Sequence, residues 1–316
     1  MKVLYRTLVA GVIATIAPLL YSADYTFSKV LISEYASLTN FAINDSGTVA
    51  YVDLNRSNQA YELYTKNGSV VTKITDGPTE DLMPAWSPDG SRVFFASDRE
   101  GGTFKVFSVA ADGAGAERKE FAGTGNFMPL SMPAPDRLIA VATGEGTRGG
   151  DIAVVPLGEG APAPSLIGIE RQQGNAQVSP DGHWIVYQSS ESGTDEVYVR
   201  SYPDVDRRRE QISSGGGLQP LWGPAGSNEL FYWDPKGTLK AMAVTTTAEF
   251  RVGPSRDVPL GEGVEPPSVE GAWNYAVSPL DGRFLMFKPV AAGNALVSFR
   301  VVVNWFEELK RLVPAN

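Results

Sequence analysis

Six short turns recur along this chain at a spacing of roughly 45 residues, and a fixed period of that length marks a β-propeller or a similar repeat array. Three are closely alike: Ser87-Pro88-Asp89-Gly90, Ser179-Pro180-Asp181-Gly182 and the stretched Ser278-Pro279-Leu280-Asp281-Gly282. Three degenerate relatives complete the series: Asn44-Asp45-Ser46-Gly47, Pro133-Ala134-Pro135-Asp136 and Gly223-Pro224-Ala225-Gly226. Proline presets φ for the first corner, aspartate bonds its own backbone two residues on, and glycine accepts the positive φ of the reversal. Each turn lies between two short apolar runs, so each is predicted inside a β-hairpin.

The second unit shows the repeat most fully. Leu82 to Trp86, Arg92 to Ala96, Thr103 to Ser108 and Glu117 to Phe121 read as four strands, rich in β-branched and aromatic residues and bounded by Gly, Asp and Pro. The fourth unit repeats the order with Asn175 to Val178, Trp184 to Gln188, Val197 to Arg200 and Glu210 to Ser213. The fifth does so with Pro220 to Trp222, Leu230 to Trp233, Leu239 to Met242 and Asp257 to Leu260. In the first unit Ala50 to Val52, Tyr61 to Tyr64 and Val71 to Thr75 fit. In the third, Leu138 to Ala142 and Asp151 to Val155 fit, with aromatics lost and glycine gained. The predicted fold is therefore all-β: a six-bladed propeller of four-stranded antiparallel blades.

The last unit predicts how the ring closes. It offers Tyr275 to Val277, Phe284 to Phe287 and Val297 to Val301 with no fourth strand behind them, whereas Phe27 to Ser33 precedes the first blade without a blade of its own. The N-terminal strand is thus expected to complete the sixth blade, which removes an open edge from the seam. Beyond Val301, Phe306, Leu309 and Leu312 recur at spacings of three, with Glu307 and Glu308 early and Lys310 and Arg311 late. That pattern predicts a short helix packed on the ring.

Residues 1–23 fall outside the repeats and 24–316 form the propeller. Lys2 and Arg6 precede an apolar run from Leu8 to Leu20, and Tyr21-Ser22-Ala23 ends in a small residue, as in a secretory signal. At about 13 residues the run is shorter than the roughly 18 to 20 of a membrane span. A periplasmic or secreted protein, without stable membrane insertion after cleavage, is expected. The chain has no cysteine, so disulfides and thiolate metal sites are excluded. Its formal charge of −9 argues against nucleic acid, which demands a basic footprint. Propeller repeats stack into one ring, so 316 residues form one domain, expected as a monomer.

Few residues suggest chemistry. The single histidine, His183, follows a turn with no nucleophile beside it, and no Gly-x-Ser-x-Gly elbow, P-loop, dinucleotide fingerprint or His-Glu-x-x-His is present. No catalytic residue and no cofactor are expected. Aligning the units by their turns places Asn40, Asn175, Gln219 and Asn274 at the start of the innermost strand, with Met83 and Met128 in the other two blades. These four amides are the candidate ligand-binding residues, at the mouth of the central channel. A Ca²⁺ site needs six to eight oxygens; the set has no carboxylate, so no metal is assigned to it. Trp86, Trp184, Trp222, Trp233 and Trp273 are expected mainly in the core, and Gly215-Gly216-Gly217, which precedes a strand, in a loop on the ring face.

The stretch from Pro84 to Gly90, continued by Val93 to Gly101, closely resembles the WD40-like repeat of the TolB-type β-propeller family, over essentially all of residues 25–316. Val197 to Pro203, Gln219 to Trp222 and the tail Val303 to Leu312 also resemble the extracytoplasmic sensor propellers of certain bacterial Ser/Thr receptor kinases. No kinase domain accompanies them here, so the resemblance implies the propeller and a binding role, and it supplies no catalytic residues. The expected function is a noncatalytic interaction module for a protein or an envelope component. The alternative is a propeller enzyme, a metal-assisted lactonase or one acting on polysaccharide, with its site over the channel.

Overall fold

The computed structural model describes residues 30–33, 40–55, 57–121, 123–144, 147, 150–167, 173–247, 249–260, 273–280, 282–286, 289–290 and 298–301. The predicted segments 1–23 and Phe306 to Leu312 lie outside these residues.

The hairpin turns close as their residue types require. In the second unit the Gly90 amide donates to Ser87 O (2.9 Å) and the Ser87 amide to Arg92 O (3.0 Å), while Ser87 Oγ donates to Asp89 (2.6 Å). The fourth unit repeats the set, with Gly182 N to Ser179 O at 2.8 Å and Ser179 Oγ to Asp181 at 2.5 Å. In the first unit Asn44 substitutes for the serine and aspartate together, its Oδ1 accepting from the amides of Ser46 and Thr48. These turns connect the innermost strand of each blade to the second.

Five four-stranded antiparallel sheets result. The first comprises Phe41–Ile43, Val49–Asn55, Ala60–Asn67 and Val70–Lys73; the second Asp81–Trp86, Arg92–Ser97, Lys105–Ala110 and Arg118–Phe121. The third comprises Asn126–Ala134, Arg137–Thr143, Asp151–Pro156 and Ser165–Leu166; the fourth Gln173–Val178, Trp184–Ser189, Glu196–Ser201 and Arg209–Gln211. The fifth comprises Leu218–Trp222, Glu229–Trp233, Leu239–Thr245 and Arg251–Asp257. In the sixth unit Tyr275–Val277 pairs with Phe284–Met286, and Pro289–Val290 pairs with Ser298–Val301, whose other edge takes Val30–Ser33. Val30 stands opposite Val301 and Ser33 opposite Phe299, the closure predicted from the orphan N-terminal strand.

Three outer strands end earlier than predicted, at Lys73, Gln211 and Asp257. The outer strand of the fifth blade is Arg251–Asp257, not Asp257 to Leu260. Val258 instead leaves the ladder and drops into the core, 3% exposed, with its amide donating to Leu239 O (2.8 Å). Ile74, Ile167 and Ile212 do the same at the corresponding places, onto Leu63 O, Ile152 O and Val197 O. An apolar residue at the end of an outer strand is thus a plug beneath the blade, and its hydrophobicity alone does not distinguish it from a strand residue.

The core sits between blades. Separate buried clusters join units one and two (Ala50, Val52, Trp86, Phe95), two and three (Phe94, Val106, Leu138, Ala153), three and four (Ile139, Ile152, Tyr187, Tyr198), and four and five (Val186, Val199, Leu230, Phe250). A further cluster joins units five, six and one through Phe231, Trp233, Tyr275, Phe284, Tyr51 and Phe41. The interfaces therefore run full circle and close the ring.

Candidate functional site

The innermost strands enclose an axial cavity of about 480 Å³ to which all six units contribute. Its wall includes Phe41 and Ile43, Pro84 and Trp86, Leu130 and Ser131, Gln177 and Val178, Leu221 and Trp222, and Trp273 and Tyr275. It extends to the hairpin turns, taking in Asp45, Pro88, Pro133, Pro180, Pro224 and Pro279. The cavity therefore occupies the end of the axis where the innermost strands finish.

Tryptophans build that wall and tie blade to blade. Trp86 Nε1 donates to Ala42 O at 3.2 Å, 44 residues away, and Trp222 Nε1 to Gln177 O at 2.9 Å, 45 residues away. In both cases the separation is one repeat period. The Trp222 amide also donates to the Gln177 side chain (2.9 Å), and Ser131 Oγ donates to Ala176 O (3.3 Å). Trp273 Nε1 reaches Pro220 O at 3.2 Å. Its ring packs against the cluster of units five, six and one and against that of Met83, Leu130 and Tyr187, so it lies across the axis. The expectation that the tryptophans belong to the core holds for Trp86, Trp184, Trp222 and Trp233, which are buried. Trp86, Trp222 and Trp273 serve a second purpose as cavity wall.

The four predicted amides lie at the other end of the same strands and outside the cavity wall. Asn175 is 1% exposed and Gln219 2% exposed, while Asn40 and Asn274 are half-buried. Gln219 Oε1 accepts from the Asn274 amide (3.0 Å), the Gln219 amide donates to Gln188 Oε1 (3.0 Å), and Tyr275 Oη donates to Gln219 O (2.8 Å). Gln219 thus joins the fourth, fifth and sixth blades. Asn175 Nδ2 is buried without a hydrogen-bond acceptor. The alignment that grouped these positions finds a shared backbone feature. Met83, Asn175 and Gln219 all have positive φ, 56°, 47° and 51°, each at a register shift in its innermost strand. A bulge of this kind re-aims a side chain, here into the contact between neighbouring blades.

The triple glycine has an equally structural explanation. Buried Glu196 accepts from the amides of Gly215 (2.8 Å) and Gly216 (2.9 Å), and Ser213 Oγ donates to the same carboxylate. The loop's donors are therefore used internally and are closed to a phosphate. A Cβ on Gly216 would lie 2.1 Å from Pro235 Cγ, and one on Gly217 would lie 2.4 Å from Ser213 Oγ. Only glycine lets the loop wrap so closely around a buried acid.

Electrostatics at the turn end follow from the turn geometry. Hydrogen bonds from Ser87, and then from the Ser91 amide and hydroxyl, bring Asp89 down to about 2. For Asp181 burial acts to raise the pKa, but bonds from Ser179 and the His183 amide outweigh it and the net shift is downward. His183 is exposed and stands 3.7 Å from Asp181. Among the described residues no three His, Cys, Asp or Glu side chains gather in a metal-holding group.

The profile of the family described as PD40, TolB beta propeller domain, matches residues 44–224. A stretch of 209 residues is 26% identical to an uncharacterized peptidase, YuxL, of Bacillus subtilis, covering 52% of this chain and 31% of that protein. The chain spans about three tenths of the length of the curated relatives it matches. Among solved structures, TolB from Acinetobacter baumannii superposes with a TM-score of 0.58 at 16% identity, covering 84% of this chain and 65% of that one. An oligogalacturonate lyase in complex with manganese superposes with a TM-score of 0.57 at 11% identity, covering 90% and 97%. At such identities these likenesses speak for the fold alone.

Proposed function

The chain belongs to the TolB β-propeller family, and we propose that it acts outside the cytoplasm as a noncatalytic interaction module that seats a segment of a partner protein in the axial cavity. The observation that carries this reading is the convergence of all six blades on one cavity of about 480 Å³, whose walls mix aromatic rings, prolines and hydrogen-bonding groups, with Asp45 at the rim. That volume lies within the roughly 300–1,000 Å³ of pockets that hold small ligands or side-chain clusters. Strand interiors are committed to packing, so the turn end of the axis is where chemical variety is free to act. The apolar run after Lys2 and Arg6 supports export. In this reading Gln219, bonded to Gln188, to the Asn274 backbone amide and to Tyr275, contributes by tying three blades together.

Photo-crosslinking in cells tests the proposal. A benzophenone side chain at Met132 or Val178 in the cavity wall should capture one discrete partner, while the same group at Val70 or Val252, exposed on outer strands, should not. Capture from the outer strands alone would move the site to the rim. Turnover of an oligouronate or a peptide by the purified chain, abolished by filling the cavity through Ser131→Trp, would replace the binding module with an enzyme.

A further inference from the structure

The charges around the cavity constrain what can enter it. Among the described residues that line it, Asp45 is the one charged side chain, exposed at the rim; no Lys, Arg or His is among them. The neighbouring hairpin turns add Asp89, Asp136 and Asp181, all exposed, beside the lining residues Pro88, Pro133 and Pro180. Of the basic residues that follow the described turns, Arg283 is half-buried and the other three are directed elsewhere or stand beside a carboxylate of the rim. Arg92 turns to Ser108 Oγ on the third strand of its blade (2.7 Å), Arg137 stands 4.0 Å from Asp136, and His183 lies beside Asp181. Deeper in, the wall offers the indoles of Trp86, Trp222 and Trp273 and the apolar surfaces of Leu130, Val178 and Leu221.

From this arrangement, and resting on the cavity reading above, we infer that the occupant is an extended peptide segment that is apolar at its tip and carries lysine, arginine or a free amino terminus where it passes the rim beside Asp45. A low-dielectric cleft rimmed by one sign of charge concentrates ligands of the opposite sign and repels those of its own. Tryptophan faces also attract cations. The same field disfavours polyuronates, so an acidic substrate of the kind named for the structurally similar lyase does not fit this chain.

Intrinsic fluorescence supplies a readout, because three tryptophans line the cavity. The probes are a hexapeptide of repeating lysine-proline-leucine, its glutamate-proline-leucine counterpart, and trigalacturonate, each titrated into the full chain. The expected result is binding of the lysine peptide alone, weakening about tenfold between about 50 and about 300 mM salt as the charges are screened. Asp45→Asn, an exposed change that keeps the turn's size, should weaken that binding about threefold without altering the melting temperature, and Asp45→Lys should weaken it further. Equal or tighter binding of the glutamate peptide or trigalacturonate, or no effect of either Asp45 variant, overturns the charge assignment while leaving the cavity in use. No response to any probe overturns the cavity reading as well.

Discussion

The two ends of the propeller axis are built from the same six innermost strands yet are put to opposite uses. At the end where those strands begin, polar side chains are buried and spent on neighbours: Gln219 on Asn274, Gln188 on Gln219, and Glu196 on the Gly215–Gly216 amides. At the end where they finish, the carboxylates of the hairpin turns are exposed and a cavity of about 480 Å³ opens between the blades. Polar residue type therefore does not mark the available surface. A buried amide is retained because it satisfies another blade's backbone, and removing one partner of such a pair costs more than the pair contributes.

The comparison can be broken most forcefully at Trp222, which lines the open end but is 4% exposed and tied to Gln177. Trp222→Ala should cost about 3–5 kcal/mol in chemical denaturation. A loss under about 1 kcal/mol would show that the cavity wall is not part of the blade-to-blade structure. At the stitched end, Glu196→Gln replaces a carboxylate that accepts from Ser213 and two loop amides. Bonds to charged groups contribute about 1.5–3 kcal/mol each, and part of that survives in the neutral amide, so a loss of about 2 kcal/mol is expected. Unchanged stability would mean the loop closes without the acid.

A sharper contrast comes from two residues that share a backbone conformation. Asn175 and Gln219 both have positive φ, so glycine relieves both backbones equally. Only Gln219→Gly removes an acceptor from the Asn274 backbone amide, whereas Asn175→Gly removes a buried Nδ2 that has no acceptor. Gln219→Gly should therefore be the more destabilising by about 1–2 kcal/mol, measured by denaturation of the two variants side by side. Equal effects would reduce the stitching to a matter of backbone strain.

The smallest effect belongs to the exposed turn. Asp89 titrates near 2 in the folded chain against 3.8 for the unperturbed group. Its contribution is present in full above pH 3.8 and is lost as the pH falls through about 2. Asp89→Asn should flatten that part of the melting temperature against pH curve by lowering the plateau above pH 3.8 slightly, and should leave the acidic end near pH 2 unchanged. An unaltered slope would assign the loss to other carboxylates.

Much of the fold is legible in the amino-acid sequence. Turn chemistry is local, so Ser-Pro-Asp-Gly announces a hairpin wherever it occurs, and its repetition announces a propeller. The closing strand is legible because a count of strands per unit leaves one unit short and one strand spare. Alignment of the turns also picks out Met83, Asn175 and Gln219 as equivalent, which their shared positive φ bears out. Val258 escapes this logic, since an apolar residue in a ladder and one plugging the core below it have the same hydrophobicity. The candidate site is legible only in part: the axis is predicted, and the four amides lie at the end of the innermost strands opposite the cavity of about 480 Å³.

What the sequence determined by itself is therefore the period, the turns, the strand count and the way the ring closes, because each is set by interactions within a few residues or by arithmetic along the chain. Which end of the innermost strands lines this cavity was decided only by tertiary structure. That outcome depends on contacts one repeat or more apart, such as Trp222 with Gln177 and Gln219 with Asn274, and on Trp273 reaching across the ring. An amide's fate as a binding group or as a stitch rests on the neighbour the ring brings to it, and that neighbour lies on another blade.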